Sequence, residues 1–483
     1  MTARKILNGC VYAAGAAYIA LFLFTATLRL LYPYEVEWNE GAVLDHAIRV
    51  LDGKPIYGAP SLNFSPFVYT PFYYYAVAAL MKVGGIGLWS GRLISILATL
   101  FTSAIIFRIV HRESSSHFLA FSGSALYIAF YHITGFFYDI VRMDALAIFL
   151  VAGSLYVALY VRRGYLYAAM FTLLAYYTKQ QMIFILPAIA IGLYFRDRKQ
   201  SLRYAALSVA SIVIATLLFN FTTHGWFSYF TSSIPAVKAS HGFSWKTLIE
   251  FYPTWIIGTL GIFTTVILLG IILRDKSDKN LLLICGWFFA LVSASISFAN
   301  PGGYQNVLMP LMLMISILFP ISIVKLIQSI PQGPYLGPII LLSGFLALIY
   351  NPLGQTMLLA SNKQKNAGDE CIQKLKEIPG DVWIPFHGYI GSLAGKGMHA
   401  HYMAVNDALE MHDAHSIRLE NEIVSATRNH RFAAIVLDEQ RVYRWDSIPY
   451  YMRAQKIFSV PNVFLSRIGE APTRPNFIYL PSP

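Results

Sequence analysis

The chain has 483 residues, of which 56% are hydrophobic and only 13% are charged, and its net charge is +12. An ordinary soluble domain carries about 25% charged residues, so this composition excludes a typical soluble protein and predicts a polytopic membrane protein. The positive charge does not predict a nucleic-acid partner, because basic residues of a membrane protein collect in the loops that remain in the cytoplasm.

Apolar segments long enough, or nearly long enough, to cross a bilayer recur along the first 351 residues. A span needs about 20 predominantly apolar residues. We predict eleven transmembrane helices, near residues 9–31, 89–108, 116–136, 144–161, 164–178, 182–195, 203–222, 253–273, 280–299, 306–326 and 335–351. Arginine and lysine occur in alternate gaps, and the positive-inside rule makes those gaps cytoplasmic. The amino terminus is therefore predicted inside and the carboxyl-terminal part outside.

The gap between the first and second predicted spans, residues 32–88, forms a long outer loop. Residues Glu40 to Leu51 have an apolar stripe at helical spacing, which predicts an interfacial amphipathic helix. The Tyr-rich segment from Pro71 to Lys82 is apolar but only about half a span long. We predict that it lies in the outer interface, where Tyr is favoured. If it crossed the membrane instead, the charge bias of the later loops would be inverted.

Three carboxylates follow the first span within six residues: Glu35, Glu37 and Glu40. At the edge of a bilayer such groups are costly unless they are solvated, paired or bound to a cation. Glu37 and Glu40 are three residues apart, so a helical turn would direct both toward one hydroxyl group or one metal ion. The alternative is a water-facing loop whose acidic residues keep it outside.

A second polar group precedes the fourth span and contains Tyr138, Asp139, Arg142 and Asp144. Asp144 begins an apolar helix, so a role at the helix amino terminus would be sufficient to explain it. Arg142 beside two aspartates would equally form a plain ion pair. The alternative is an anion site next to a carboxylate, which we favour because charges at the membrane rim are functional by default.

Lys179 and Gln180 form a third polar group, at the outer end of the fifth span. A lone lysine at this position usually extends its amine to the interface. Here it coincides with the two other groups on the same side. Three outer helix ends would then present carboxylates, arginine and lysine to one region, which suits a phosphate-bearing lipid and an acceptor.

The carboxyl-terminal part, from about residue 353, is more polar than the rest. Short apolar runs at 382–386, 433–437 and 457–460 predict strands, and the patterns near 366–377 and 416–426 predict helices. We therefore predict an all-α polytopic membrane module, residues 1–352, followed by a small extracytoplasmic α/β domain, residues 353–483.

Several segments resemble membrane glycosyltransferases of the GT-C type, and within them the family 39 group of protein mannosyltransferases and bacterial aminoarabinose transferases. The first outer loop carries the resemblance in Asn39-Glu40-Gly41, Asp45-His46-Ala47, Leu51-Asp52-Gly53-Lys54-Pro55-Ile56-Tyr57 and Tyr69-Thr70-Pro71-Phe72-Tyr73-Tyr74-Tyr75. Arg142-Met143-Asp144 is similar to the Arg and acid that begin a later helix, and Tyr304 to Pro310 is similar to a late-helix entrance. Where the family has an Asp-Glu pair, this chain has Asn39-Glu40, with Glu37 upstream.

The resemblance implies a polyprenyl-phosphate sugar as donor and a hydroxyl group of a glycolipid, a polysaccharide or a protein as acceptor. The reaction, a hexosyl or pentosyl transfer, would take place on the outer face of a bacterial inner membrane. It needs a base that takes the acceptor proton and positive groups that stabilise the departing phosphate. We predict Glu40 as the base, with Glu37 and Asp144 as helpers or as ligands of a divalent cation such as Mg²⁺ or Mn²⁺. The predicted substrate-binding residues are Arg142, Lys179, Tyr138, Asp139, Gln180 and Tyr74.

Two other classes of function remain open at this stage. A carrier or flippase would use the same rim charges to bind and move an anionic lipid-linked saccharide. A noncatalytic assembly factor for envelope polysaccharide would tolerate neutralisation of Glu40.

Overall fold

The computed structural model describes residues 2–273, 278–329, 333, 335–349, 361–438, 450–461, 463–466, 468–469 and 473–483. The predicted boundary between the membrane module and the carboxyl-terminal domain, residues 352 and 353, lies outside these ranges.

The part before that boundary is almost entirely helical. Its α-helices are Thr2–Leu30, Glu40–Leu51, Phe72–Gly84, Leu88–Ser114, His117–Ala129, Asp144–Tyr160, Gly164–Thr178, Ile185–Tyr194, Arg198–Thr222, Trp226–Ser228, Ile234–Gly242, Trp245–Phe251, Gly261–Ile272, Asp278–Ala299, Met309–Ser329 and Leu336–Ala347. Two 3₁₀ segments, Gln180–Phe184 and Gln305–Leu308, and two π-helical segments, Tyr229–Ser233 and Tyr252–Thr259, join some of them. A helix lies at the position of each predicted span.

The helices differ in length and in what surrounds them. Within the described ranges, five are long and apolar enough to cross a membrane, and the pair Trp245–Thr259 and Gly261–Ile272, bent by 88°, is a sixth candidate. Four shorter apolar helices accompany them. Segment Gln305–Ser329 is 94% buried among other helices, whereas Arg198–Thr222 is only 6% buried. An apolar helix that the protein leaves uncovered requires lipid around it, so this is a multi-pass membrane protein. The count of eleven stays a prediction.

The outer loop forms the two predicted helices, Glu40–Leu51 and Phe72–Gly84. The first is not amphipathic in its surroundings, however, since Glu40 to Ile48 are all buried. The face of this helix that carries Gly41 is covered by the carboxyl-terminal helix Gly388–Leu393. The two helices are so close that a Cβ atom on Gly41 would lie 2.9 Å from Cβ of Tyr389. The polar stripe predicted to face water therefore faces another part of the chain.

The carboxyl-terminal part contains helices and a small sheet. Its helices are Asn362–Glu377, Gly388–Leu393, Tyr402–Leu409 and Ala414–Arg428. Its strands are β1 Val382–Trp383, β2 Ala434–Asp438, β3 Tyr451–Lys456 and β4 Pro475–Pro481, in the order β1-β2-β4-β3. Strands β1 and β2 are parallel, and the other pairs are antiparallel. The predicted combination of helices and a small sheet in this part is confirmed, and its division as a separate extracytoplasmic domain stays a prediction.

One predicted strand, at 457–460, is wrong. Strand β3 ends before it, at Lys456. Ile457 still donates its amide to the carbonyl of Asn476, but its own carbonyl accepts from Lys374. Ile457 and Phe458 are buried among the helices of this part, so their apolar character reflects packing after the strand has ended.

Candidate active site at the helix ends

Glu40 is completely buried, which contradicts the alternative of a water-facing loop at this position. Its carboxylate accepts two hydrogen bonds from Arg92, at 2.9 and 2.7 Å, and further bonds from the amides of Val36 and Val141. Burial alone would raise the pKa of Glu40, but Arg92 and these hydrogen bonds hold it below its ordinary value. Both oxygens of this carboxylate are thus already occupied.

Arg92 lies in the helix Leu88–Ser114 and is the structural partner of Glu40. It also donates to the carbonyls of Arg29, Tyr32 and Tyr34, at 2.6 to 2.7 Å. The pair fixes the end of the first span against the second, and its position inside a protein interior requires this full set of partners. We did not predict Arg92 from the sequence, although a lone arginine near the start of an apolar span is itself a signal.

Glu37 is also buried but has weaker partners. Its carboxylate lies 3.5 Å from Arg142 and accepts two hydrogen bonds of 3.2 Å from the backbone and side-chain amides of Asn39. Burial raises the pKa of Glu37 to about 7, although Arg142 opposes the shift. A carboxyl group that titrates near neutral pH, with a cation beside it, has the properties of a general base.

Arg142 is the neighbour of Glu37 and is 5% exposed. Its Nη2 atom donates to the Tyr69 hydroxyl at 3.1 Å, while Nε and Nη1 have no hydrogen-bond partner. Burial lowers the pKa of Arg142, but Tyr69, Glu37 and Asp144 raise it more, so the guanidinium stays charged. A buried cation with unused donors on a planar fork is suited to an anion such as phosphate.

Asp144 and Lys179 form the next part of the cluster. Their charged groups are 2.5 Å apart, and the side-chain amide of Asn306 donates to the same Asp144 oxygen at 2.9 Å. The second oxygen, Oδ2, is buried without a hydrogen-bond partner. Helices Asp144–Tyr160 and Gly164–Thr178 and the segment Gln305–Leu308 therefore meet here, as the sequence predicted for the first two.

The other predicted substrate-binding residues support the surrounding structure. Asp139 pairs with Arg29 at 2.9 Å, and Tyr138 stacks on Tyr127 with ring centres 4.9 Å apart; both predicted residues are completely buried. Gln180 donates to the carbonyl of Val68 at 2.6 Å. These contacts leave Asp139 and Gln180 little capacity for a ligand, whereas the buried hydroxyl of Tyr138 has no hydrogen-bond partner.

Tyr74 has a different environment from these three residues. Its ring stacks on His46, with centres 4.9 Å apart, and its buried hydroxyl has no hydrogen-bond partner. Among the predicted substrate-binding residues, Tyr74 and Tyr138 therefore each have a buried polar atom without a hydrogen-bond partner, as Arg142 does.

A large cavity of about 1190 Å³ is lined by residues that lie next in the chain to two neighbours of the cluster. It lies at the bend between Tyr252–Thr259 and Gly261–Ile272, and Trp255, Ile262, Phe136 and Gln305 contribute to its mostly apolar lining. Phe136 precedes Phe137, whose ring centre is 5.6 Å from the Arg142 guanidinium, and Gln305 precedes Asn306. A mostly apolar cavity of this size suits a lipid chain.

The carboxyl-terminal part holds the segment that carries Glu37. His387, which follows β1, lies 2.7 Å from Glu35 and 3.3 Å from Asp438 at the end of β2. Burial lowers the pKa of His387, but Asp438 and Glu35 raise it more, to about 10. The amide of Ile468 also donates to the carbonyl of Val36 at 3.1 Å. The segment just before Glu37 is thus held by two different parts of the carboxyl-terminal region, through Glu35 and through Val36.

The donor set does not suit the predicted divalent cation. Among the described residues, no group of three or more His, Cys, Asp or Glu side chains is arranged to hold a metal ion. The two predicted ligands, Glu37 and Asp144, lie beside the cations Arg142 and Lys179, which would repel a metal ion. The cation stays a prediction, and no step below depends on it.

Two further residues of this region were not predicted as site residues. Tyr69 accepts a hydrogen bond from Arg142, and Lys238 pairs with Asp407 of the carboxyl-terminal part. Both depend on contacts between distant segments, because 73 positions separate the first pair and 169 the second.

Comparison with known proteins agrees with the predicted resemblance. Residues 68–226 match the family model described as dolichyl-phosphate-mannose-protein mannosyltransferase. A search of curated proteins gives no match.

Solved structures share the fold over nearly the whole chain. ArnT from Cupriavidus metallidurans in the apo state superposes with a TM-score of 0.63 at 11% identity, covering 96% of this chain and 97% of that one. The same protein bound to undecaprenyl phosphate gives 0.63 at 11% identity, covering 98% of both chains. The archaeal oligosaccharyltransferase AglB from Archaeoglobus fulgidus, with an inhibitory peptide and a dolichol-phosphate, gives 0.53 at 11% identity, covering 96% and 74%. The resemblance to GT-C type membrane glycosyltransferases is confirmed.

Proposed function

We propose that the chain transfers a sugar from a polyprenyl-phosphate carrier to a hydroxyl group of a glycolipid, a polysaccharide or a protein, on the outer face of a bacterial inner membrane. The observation that carries this proposal is the buried pair of Glu37 and Arg142, in which the guanidinium keeps unused donors beside a carboxyl group that titrates near neutral pH. Two similar structures, of ArnT and AglB, contain a polyprenyl phosphate, which supports the same class of donor here.

The reaction assigns a distinct role to each group. The acceptor oxygen forms a bond to the anomeric carbon while the bond from that carbon to the phosphate oxygen breaks. Glu37 takes the acceptor proton, and the departing polyprenyl phosphate keeps the electron pair. Arg142 and Lys179 stabilise its negative charge, while Asp144, which also accepts a hydrogen bond from Asn306, holds Lys179 in place.

The base in this proposal is Glu37 rather than Glu40. The oxygens of Glu40 accept from Arg92 and backbone amides, and its pKa is below the ordinary value. Such a carboxylate is a weak base and would have to give up several hydrogen bonds to act. Glu37 has longer contacts and a pKa of about 7.

The test is transfer by the purified protein in liposomes, with radiolabelled polyprenyl-phosphate sugars and candidate acceptors. Glu37→Gln should lower the rate by about 10²- to 10⁴-fold, the usual contribution of a general base. Its melting temperature should remain close to that of the native protein, because the Gln oxygen can still accept from the Asn39 backbone amide, and Asn39 Oδ1, which has no partner, can accept from the new NH2 group.

The matched control is Glu250→Gln, the same chemical change on a side chain that is 59% exposed. It should transfer sugar at the native rate. Native transfer by Glu37→Gln would reject the assigned base. Movement of the lipid-linked sugar across the bilayer without any transfer would reject the enzyme in favour of a carrier.

A further inference from the structure

A second cavity, of about 220 Å³, lies on the other side of the outer loop. It is enclosed between the helix Glu40–Leu51, which supplies Asp45 and Arg49, and the carboxyl-terminal segment that includes His399. Lys54 completes one side of it. The residues of the Glu37 and Arg142 cluster do not line this cavity, so it is a separate site.

Two buried polar atoms at this cavity have no hydrogen-bond partner: Oδ1 of Asp45 and Nδ1 of His399. The side chains are only 7% and 6% exposed. An unsatisfied buried polar atom destabilises a fold, and two of them at one cavity indicate that a ligand supplies the missing partners.

The two groups offer complementary hydrogen bonds. Burial, together with Glu35, raises the pKa of Asp45 well above its ordinary value, so the carboxyl group keeps its proton and can donate. Burial lowers the pKa of His399, which is therefore neutral, and Nε2 lies 2.7 Å from Asp381. That contact assigns the proton to Nε2 and leaves Nδ1 as an acceptor. A donor and an acceptor together suit hydroxyl groups.

The mouth of the cavity is positively charged and open to water. Arg49 lies over the ring of Phe64, 3.9 Å from its centre, which fixes the guanidinium at the wall. Lys54 is 54% exposed and pairs with Asp52, which is 39% exposed. A ligand can therefore enter from the aqueous side, and cations at the entrance favour a negative group on it.

We propose that this cavity is a second binding site, for a saccharide unit that bears both hydroxyl groups and a phosphate or carboxylate. The volume has room for one sugar ring, the pair of Asp45 and His399 meets its hydroxyl groups, and Arg49 and Lys54 meet its charge. The inference rests on the proposed function for its role, because it makes an anionic glycan the class of acceptor that this protein holds.

The test is direct binding to the full-length protein in lipid nanodiscs, measured by isothermal titration calorimetry. The probes are glucuronic acid and glucose 6-phosphate, compared with glucose and inorganic phosphate. Both anionic sugars should bind more tightly than either partial probe. Lys54→Ala should weaken their binding about fivefold, as expected for an ionic contact at a half-exposed site.

Lys82→Ala is the matched control, since Lys82 is another exposed lysine at the end of an outer-loop helix. It should bind both sugars as the native protein does. Equal binding by Lys54→Ala and the native protein would overturn the site, as would inorganic phosphate binding as tightly as glucose 6-phosphate. A native protein that binds none of the probes would also overturn it.

The same measurement on Glu37→Gln separates this inference from the proposed function. Glu37 does not line the cavity, so this variant should bind the sugars normally. If neither the native protein nor Glu37→Gln binds the sugars, the second site is rejected. Normal sugar transfer by Glu37→Gln instead rejects the proposed base and leaves the binding result unaffected.

Discussion

The glutamates of two buried Glu–Arg pairs are three positions apart in the chain, and the pairs differ in how many hydrogen-bond donors they leave without a partner. In the pair of Glu40 and Arg92, both groups are completely buried and the guanidinium binds a carboxylate and three carbonyls. In the pair of Glu37 and Arg142, the charged atoms are 3.5 Å apart and two guanidinium nitrogens have no hydrogen-bond partner. Burial and pairing are common to both, so spare hydrogen-bonding capacity is what distinguishes these two pairs.

The supporting pair has consequences for folding. It joins the end of the first span, the start of the helix Leu88–Ser114 and the loop at Val141. Removing one charge of such a pair leaves the other buried without compensation. The site pair, by contrast, can lose a charge with less effect, because its contacts are longer.

Glu40→Gln is the strongest way to separate the two pairs. It should lower the free energy of unfolding by about 3–5 kcal/mol, because Arg92 would keep its charge in a buried position without a carboxylate. The measurement is the thermal unfolding midpoint of the purified protein in detergent, with Glu37→Gln as the control that retains a native midpoint. A native midpoint for Glu40→Gln together with lost transfer would return the role of base to Glu40.

Replacement of each arginine by lysine sharpens the same contrast. Arg142→Lys should lower kcat/KM by about 100-fold, the scale for loss of one preorganised donor to a developing charge. A lysine cannot contact Tyr69 and a phosphate through one planar fork. Steady-state transfer at several donor concentrations measures this.

Arg92→Lys is the comparison variant. It should lower the unfolding midpoint, because a single ammonium group cannot replace donors that reach Glu40 and three carbonyls. If Arg142→Lys lowered the midpoint as much as Arg92→Lys, both pairs would be structural and the proposed phosphate contact would be wrong.

The parts of the molecule that the sequence predicts well depend on neighbours in the chain. Apolar length indicated a helix at each span position, and the bounds of the helix Glu40–Leu51 follow directly from its pattern. The charged groups Glu37, Arg142, Asp144 and Lys179 stand out because charge is rare in an apolar chain. These four residues lie in one cluster in the structure.

The parts that the sequence does not predict depend on distant segments. Glu40 and Glu37 look alike in the sequence, and only Arg92, 52 positions away, makes one of them structural. Asp45 is buried because the helix Gly388–Leu393 lies against it, more than 340 positions later. Amphipathic patterns describe one helix, and a domain that covers its polar face leaves no trace in that pattern.

The pH dependence of transfer also distinguishes the two pairs, and it is the smallest of the expected effects. Burial raises the pKa of Glu37 to about 7, and only its ionised form can accept a proton. Values of kcat/KM should therefore rise with pH and level off above 7, falling about tenfold for each unit below it. The pKa of Glu40 is lowered, so a reaction that used Glu40 would already be independent of pH in this range.

Docking of the carboxyl-terminal part changes in the opposite direction over the same pH range. The folded-state pKa of His387 is raised to about 10 from an ordinary value of 6.5, so its stabilising contribution is complete below 6.5 and is lost as pH rises through 10. A weakening contact cannot produce increasing activity between pH 6 and 8.

Arg142→Met provides the decisive comparison: Arg142 lowers the pKa of Glu37, so its removal should move the residual activity profile to higher pH. An unchanged profile would show that another group is being titrated.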